Sequence, residues 1–296
     1  MTAELTFLAP AKVNLALHVT GRRDDGYHLL DSLVVFTAFG DRVHAAASGT
    51  DRFSITGPYA AGIPDGGDNL VLRARDLLRR LAADQPCGPV DIRLEKNLPV
   101  ASGVGGGSSD AAATMLALLR LWNLPRAAGR LADETLALGA DLPMCLAARP
   151  LVARGIGEVL TPVPALPVLP LVLANPGVAV STPAVFRALG RRDNPPLPVL
   201  PPIDGPEAMA AWLDVTRNDL EAPARATAPA IGDVLDALRQ TGAAVARMSG
   251  SGATCYGLFA DMPSARAGAN AIAARRPDWF VVATRTRSSE ELPWPE

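Results

Sequence analysis

Four glycines fall within seven residues at Gly103-Val104-Gly105-Gly106-Gly107-Ser108-Ser109, and the run passes directly into a stretch with apolar side chains at helical spacing: Ala112, Met115, Leu116, Leu119 and Trp122. A glycine-rich loop feeding a helix N-terminus lets backbone amides approach an anion closely, with the positive end of the helix dipole behind them. The arrangement is a candidate phosphate cradle, and a flexible Gly/Ser connection is the ordinary alternative. A plain linker has no reason to end at a well-patterned helix. No lysine follows the glycines, so this is not a Walker A loop, and serine at 108 breaks the GxGxxG pattern.

The surrounding chain reads as alternating strands and helices. Leu5 to Val19 alternates as a strand that places Lys12 and Asn14 on one face. Further strands are expected over Leu29 to Phe36, Asp41 to Ala47, Arg52 to Thr56 and Val90 to Leu94, with a helix over Leu70 to Ala83 started by Asp68 and Asn69. A helix is expected over about Ala127 to Leu138, and another opening at Asp141-Leu142-Pro143. Beyond Pro162 come strand Val168 to Ala174, helices Pro183 to Leu189, Glu207 to Leu213 and Ile231 to Thr241, strands Ala244 to Met248 and Thr254 to Phe259, helix Ser264 to Arg275 and strand Trp279 to Thr284. The fold class is α+β, and 296 residues fit two lobes, divided at 1–160 and 161–296, with a cleft between them.

Composition removes several function classes. The 28 basic and 30 acidic residues leave a formal charge of −2, which gives no field for nucleic acid or an anionic membrane. Cys87, Cys145 and Cys255 are isolated, and His18, His28 and His44 form no metal-binding spacing. No charged-then-apolar leader and no apolar run of about 18 residues is present, so a cytoplasmic location without membrane contact is expected. Of the 28 basic residues only Lys12 and Lys96 are lysine. In a chain biased this far to arginine, a retained lysine marks a place where a compact ammonium serves better than a planar fork.

Lys12 and Asp141 together suit phosphoryl transfer to an alcohol, which needs a carboxylate to take the hydroxyl proton and a cation to steady developing charge. Taken singly, Lys12 also reads as a solvated edge charge and Asp141 as a helix cap. Tyr27 and His28 can sandwich and hydrogen-bond a nucleobase or simply open a strand. Met248-Ser249-Gly250-Ser251-Gly252-Ala253 is either a hairpin or a second backbone cradle.

In order along the chain, PAKVNLALHVTGRRDDGYH (10–28), LPVASGVGGGSSDAA (98–112), GADLP (139–143) and SGSGATCYGLF (249–259) resemble the GHMP kinases over nearly the whole length. PAKVNL, GYH and GADLP narrow the resemblance to members acting on a cytidine-diphosphate-linked small molecule. The resemblance implies a ribosomal-protein-S5-like N-terminal lobe with a left-handed βαβ crossover and a ferredoxin-like C-terminal lobe. It implies ATP and Mg²⁺ as cofactors, Asp141 as base, and Lys12 orienting it and stabilising charge. The ATP phosphate loop becomes Pro99, Val100, Ala101, Ser102, Gly103, Val104, Gly105, Gly106, Gly107, Ser108 and Ser109, with Lys96 and Asn69 toward the nucleoside. Asn14, Tyr27, His28 and Thr182 match substrate positions, Tyr27 and His28 around the cytosine; the metal ligands stay unassigned. The expected state is a monomer or weak homodimer. A mevalonate- or homoserine-type kinase and a non-catalytic binding protein on the same fold are the rivals. Two departures stand out: Val100-Ala101-Ser102 replaces a second glycine run, and Asp110 replaces a frequent Asn. An acidic group there is expected to face the helix exterior or meet Mg²⁺.

Overall fold

The structure, a computed structural model, describes residues 4–124 and 131–291. Two sheets organise the chain. The first has six strands: β1 (Leu5–Arg22), β2 (His28–Ala47), β3 (Arg52–Thr56), β4 (Val90–Glu95), β5 (Leu151–Gly155) and β6 (Val159–Pro162). Its order is β3-β4-β2-β5-β6, with β1 along the other side of β2. The 28-to-47 segment is one continuous strand where two were expected. β1 pairs along its whole length, while β5 takes the first half and β4 the second half of the opposite edge. β3 and β4 are parallel and are joined across α1 (Leu70–Leu81).

α2 (Gly106–Leu121) lies against β1, β2 and α1. Its burial is broader than the single apolar stripe expected: Ser109 to Leu118 is buried without interruption, as in a helix enclosed on all sides. α3 (Leu131–Thr135) falls within the helix expected at 127–138, of which residues 127–130 lie outside the described residues. α4 (Leu142–Ala147) follows Asp141.

The second sheet is built from β7 (Pro170–Asn175), β8 (Val245–Met248), β9 (Cys255–Leu258) and β10 (Phe280–Arg285) in the order β10-β7-β9-β8, all antiparallel. With α8 (Ala230–Gln240) and α9 (Met262–Arg275) this is the ferredoxin-like arrangement. α5 (Thr182–Arg187), α6 (Pro206–Asp214) and α7 (Glu221–Thr227) lie between β7 and α8. The sheets share a core in which Val13, Leu15, Leu33 and Val35 of the first pack with Leu171, Leu173, Tyr256 and Leu258 of the second. Among the described residues no helix is long and apolar enough to cross a membrane.

Candidate active site

β1 presents Lys12 and Asn14 where its pairing with β2 slips, between Pro10 and Lys12 and again between Asn14 and Ala16. The Lys12 amide donates to Val104 O at 2.9 Å, which holds the strand against the glycine loop. Lys12 Nζ donates to Asn14 Oδ1 (3.1 Å) and lies 3.2 Å from Asp141 Oδ2. Asn14 Nδ2 donates in turn to Ser32 Oγ (2.8 Å), and that hydroxyl donates to Ala16 O (2.7 Å). The ammonium is therefore aimed by a buried chain of hydrogen bonds. Asp141 occupies the cap position of α4, yet its side chain makes no capping bond. Its carboxylate is left for Lys12 and for the cavity it lines.

The glycine loop is shaped by close approaches. Gly103 has φ +77°, and a Cβ there would come within 2.7 Å of the Ser249 and Gly252 carbonyl oxygens. Gly105 caps α2 at φ +65°, with Lys12 Cε where a side chain would begin. The first amides of α2 have no partner within the helix, the usual state of a helix start. No acidic residue stands in that first turn to compete for them. From the C-terminal half, Thr254 N donates to Ser102 O (3.0 Å), and Ser249 Oγ accepts from Asn14 N (3.1 Å) and donates to Gly103 O (3.2 Å).

Lys12, Asn14, Asn69, Lys96, Pro99 to Gly103, Gly105 to Ser108, Asp141 and Thr182 all line one cavity of ≈ 530 Å³. Val104 and Ser109 do not. The Val104 side chain packs into the shared core, and Ser109 Oγ donates to Pro10 O at 2.8 Å. Asn69 meets the cavity with its amide already engaged: Nδ2 donates to Pro64 O and Oδ1 caps α1 by accepting from Val71 N.

Lys96 sits below Gly106 at 4% exposure, between the buried carboxylates of Asp41 and Asp110. It bonds Asp41 Oδ2 and reaches Asp110 Oδ2 at 2.7 Å. Asp41 Oδ1 accepts from the Asn97 and Leu98 amides, fixing the start of the loop segment. Burial acts to lower the Lys96 pKa, but the two carboxylates outweigh it and raise it. Asp110 is held well above the usual carboxylate range by burial; Lys96 opposes this and Asp41 adds to it. Asp110 thus faces inward, not toward the helix exterior, because Lys96 is there to receive it.

At the far end, Thr182 Oγ1 and Ser251 Oγ are 2.6 Å apart. His28 stacks on Phe186 with ring centroids 4.8 Å apart, and Phe186 lines the cavity although His28 itself does not. His28 Nε2 is buried with no hydrogen-bond partner among the described residues. Tyr27 is 61% exposed and stands outside the cavity lining.

Comparison with known proteins gives the family. The GHMP kinases N terminal domain matches residues 69–149, and GHMP kinases C terminal matches 205–278. A 4-diphosphocytidyl-2-C-methyl-D-erythritol kinase of Mesorhizobium japonicum is 58% identical over 285 residues, covering 96% of this chain and 97% of the relative. The chain belongs to the 4-diphosphocytidyl-2-C-methyl-D-erythritol kinases of the GHMP superfamily. A kinase of the same description from Rhizobium meliloti is 57% identical, with 95% of each chain covered. A crystal structure of 4-(cytidine 5'-diphospho)-2C-methyl-D-erythritol kinase superposes with a TM-score of 0.78 at 38% identity, covering 95% of this chain and 98% of that one. A homoserine kinase from Cytophaga hutchinsonii, at 18% identity and a TM-score of 0.71 over 98% and 96% of the two chains, shares the fold.

Within this kinase family fold, sequence reasoning missed Ser32, Asp41 and Phe186, while the run at 248–253, read as a hairpin or second backbone cradle, supplies Ser249 and Ser251. Only Ser249 and Ser251 carried a signal, through the glycines that flank them.

Proposed function

We propose that this chain transfers the γ-phosphoryl group of ATP to the 2-hydroxyl of 4-diphosphocytidyl-2-C-methyl-D-erythritol, a step of non-mevalonate isoprenoid precursor synthesis. The observation that carries the reading is the Lys12–Asp141 pair, 3.2 Å apart in the same cavity as the glycine loop. Asp141 accepts the hydroxyl proton as the acceptor oxygen forms its bond to the γ-phosphorus. The bond from that phosphorus to the bridging oxygen breaks, and ADP leaves with the electron pair. Lys12 holds the carboxylate in place and steadies charge on the transferring group. The loop amides and the start of α2 hold the phosphates, so most of the catalysis is positioning and preorganised electrostatics.

Mg²⁺ accompanying ATP would supply neutralisation of the phosphate charge. Ser108 and Asp141, oxygen-bearing side chains that line the cavity, fit the one or two protein ligands such an ion takes beside phosphates. His28 and Phe186 receive the cytosine: the ring face is apolar, and the unpartnered Nε2 is free to hydrogen-bond a base edge. Residues 1–160 form the ATP-binding half and 161–296 complete the cleft. Because one chain lines the cavity, a monomer or weak homodimer in the cytoplasm suffices.

The test is a coupled ADP-release assay with Mg-ATP and, in turn, diphosphocytidyl methylerythritol, mevalonate, homoserine or no acceptor. Turnover with the first alone is expected. Turnover with another acceptor overturns the substrate, and silence with all four overturns the kinase reading.

A further inference from the structure

Two segments beside His28 carry the same short run, Gly21-Arg22-Arg23-Asp24-Asp25 and Gly190-Arg191-Arg192-Asp193-Asn194. In each, one arginine is neutralised by the aspartate two residues on. Arg23 Nη2 lies 2.8 Å from Asp25 Oδ2, and Arg191 Nε lies 3.0 Å from Asp193 Oδ1. The other arginine of each run, Arg22 or Arg192, has no carboxylate within ion-pair distance among the described residues. Their guanidiniums meet main-chain carbonyls instead: Arg22 Nε donates to Gly26 O at 3.2 Å, and Arg192 Nη2 to Arg187 O at 3.5 Å. Arg192 Nε is buried with no hydrogen-bond partner among the described residues. A carbonyl satisfies an N–H but cancels no charge, so both cations remain available to an anion.

Both stand close to His28, outside the cavity lining. Arg22 is the cross-strand partner of His28 in the pairing of β1 with β2. Arg187, whose carbonyl holds Arg192, follows Phe186, the ring stacked on His28. Burial lowers the His28 pKa first, and the charges of Arg22 and Arg192 lower it further, so both guanidiniums are felt at the imidazole. The lysines offer no spare charge for this end of the molecule. Lys12 is paired with Asp141, and Lys96 lies between Asp41 and Asp110.

The geometry points to Arg22 and Arg192 as the pair that binds the diphosphate of the cytidine-linked acceptor, next to the base held by His28 and Phe186. This assignment rests on the cytidine reading proposed above. Guanidinium forks match phosphate oxygens in pairs and stay charged at any working pH. A nucleoside diphosphate carries the multiple negative charge that two unneutralised arginines complement. The aspartates two residues on keep the neighbouring arginines from competing for it.

Calorimetric titration of the full chain with CDP and with cytidine, in wild type, Arg22→Gln, Arg192→Gln and the double variant, tests this. The wild type is expected to bind CDP at least about tenfold more tightly than cytidine, as charge-assisted phosphate bonds imply. Each substitution should remove about five- to tenfold of that preference and the double variant nearly all of it, with cytidine affinity retained. The KM for the acceptor should rise in step while the KM for ATP stays. Variants that keep the wild-type preference overturn the assignment. So do folded variants, by circular dichroism, that lose CDP and cytidine equally, because the arginines would then only support His28. Failure of the wild type to bind either ligand overturns the cytidine reading and this assignment with it.

Discussion

Lys12 and Asp141 stand 3.2 Å apart in unequal surroundings, the lysine side chain 7% exposed and the aspartate 41%. That asymmetry suits their roles, because a base must reach a substrate hydroxyl whereas the cation must hold still. Lys12 is oriented through Asn14 and Ser32, and Asp141 is released from capping α4. Asp141→Asn keeps the shape and removes the proton acceptor, so kcat is expected to fall by about 10²–10⁴-fold with ATP affinity nearly unchanged, read by steady-state kinetics and nucleotide titration. Lys12→Met should lower kcat as well and also weaken ATP binding, since it removes the ammonium of a side chain that lies against Gly105 of the glycine loop. Both residues proposed for catalysis were legible because each sits in a contiguous motif. Their supports were not. Ser249 reaches Asn14 from 235 positions away, and Asp41 reaches Lys96 from 55. A single serine or aspartate in an unremarkable strand or loop carries no period or spacing that would announce such a contact. The scarcity of lysine did mark Lys96, although what it marked is an ammonium between two buried carboxylates.

That cluster joins three elements, with Asp41 from β2, Lys96 just after β4 and Asp110 from α2. Removing the ammonium leaves the buried carboxyl groups of Asp41 and Asp110 without their cation, so Lys96→Met is expected to destabilise the fold by about 3–5 kcal/mol, measured by urea unfolding. Asp110→Asn should behave differently, because an amide mimics the protonated acid. With the Asp110 pKa raised by burial, there is a pH window above the ordinary carboxylate value in which the folded chain holds a proton that the unfolded chain has released. Its stabilisation is present below the ordinary carboxylate pKa and is lost as pH rises through the folded value. The Asn variant should flatten that dependence and match or exceed wild type at alkaline pH; a slope equal to wild type would show that Asp110 stays ionised throughout. At the scale of elements, periodicity located most helices and strands within a few residues, and the misreadings have physical causes. β2 was divided at Thr37 to Gly40 because that stretch breaks the alternation, yet β1 pairs on both sides of it and carries it as one strand. β5 and β6 are four or five residues long, too short for a pattern, and exist by pairing with β2 and with each other. α7 contains Pro223 in its first turn, where proline is tolerated, although in sequence it reads as a break.

Across the whole molecule β1 is tied to the segment between α6 and α7: its Leu17 amide donates to Arg217 O and its Leu17 carbonyl accepts from Asp219 N, both at 2.9 Å. His18, 1% exposed, completes this junction. Its Nδ1 pairs with Pro195 O at 3.0 Å and its Nε2 accepts from Arg217 N at 3.1 Å. The ring can satisfy both only when neutral, with the proton on Nδ1. Burial holds the His18 pKa below its ordinary value and Arg217 adds to this, against the opposing pulls of the Pro195 carbonyl and Asp219. A depressed histidine pKa gives stability that is fully present above the unfolded value of 6.5 and is lost as pH falls through the folded one. Protonation would set two N–H groups against each other, at a cost of about 1–3 kcal/mol for the unpaired Arg217 amide. The chain is therefore expected to lose stability as pH falls from about 6.5 toward 5, and a histidine NMR titration should place His18 below 6.5. His28 is depressed in the same direction, so the contribution of His18 is read from the difference between wild type and His18→Asn. If both chains show the same acid slope, the junction is not pH-sensitive and its strength lies in the Leu17 backbone bonds. If the variant is flatter, the attachment of the strand bearing Lys12 to the segment around Arg217 depends on a neutral imidazole, and activity lost in that range would reflect loosening of the cleft.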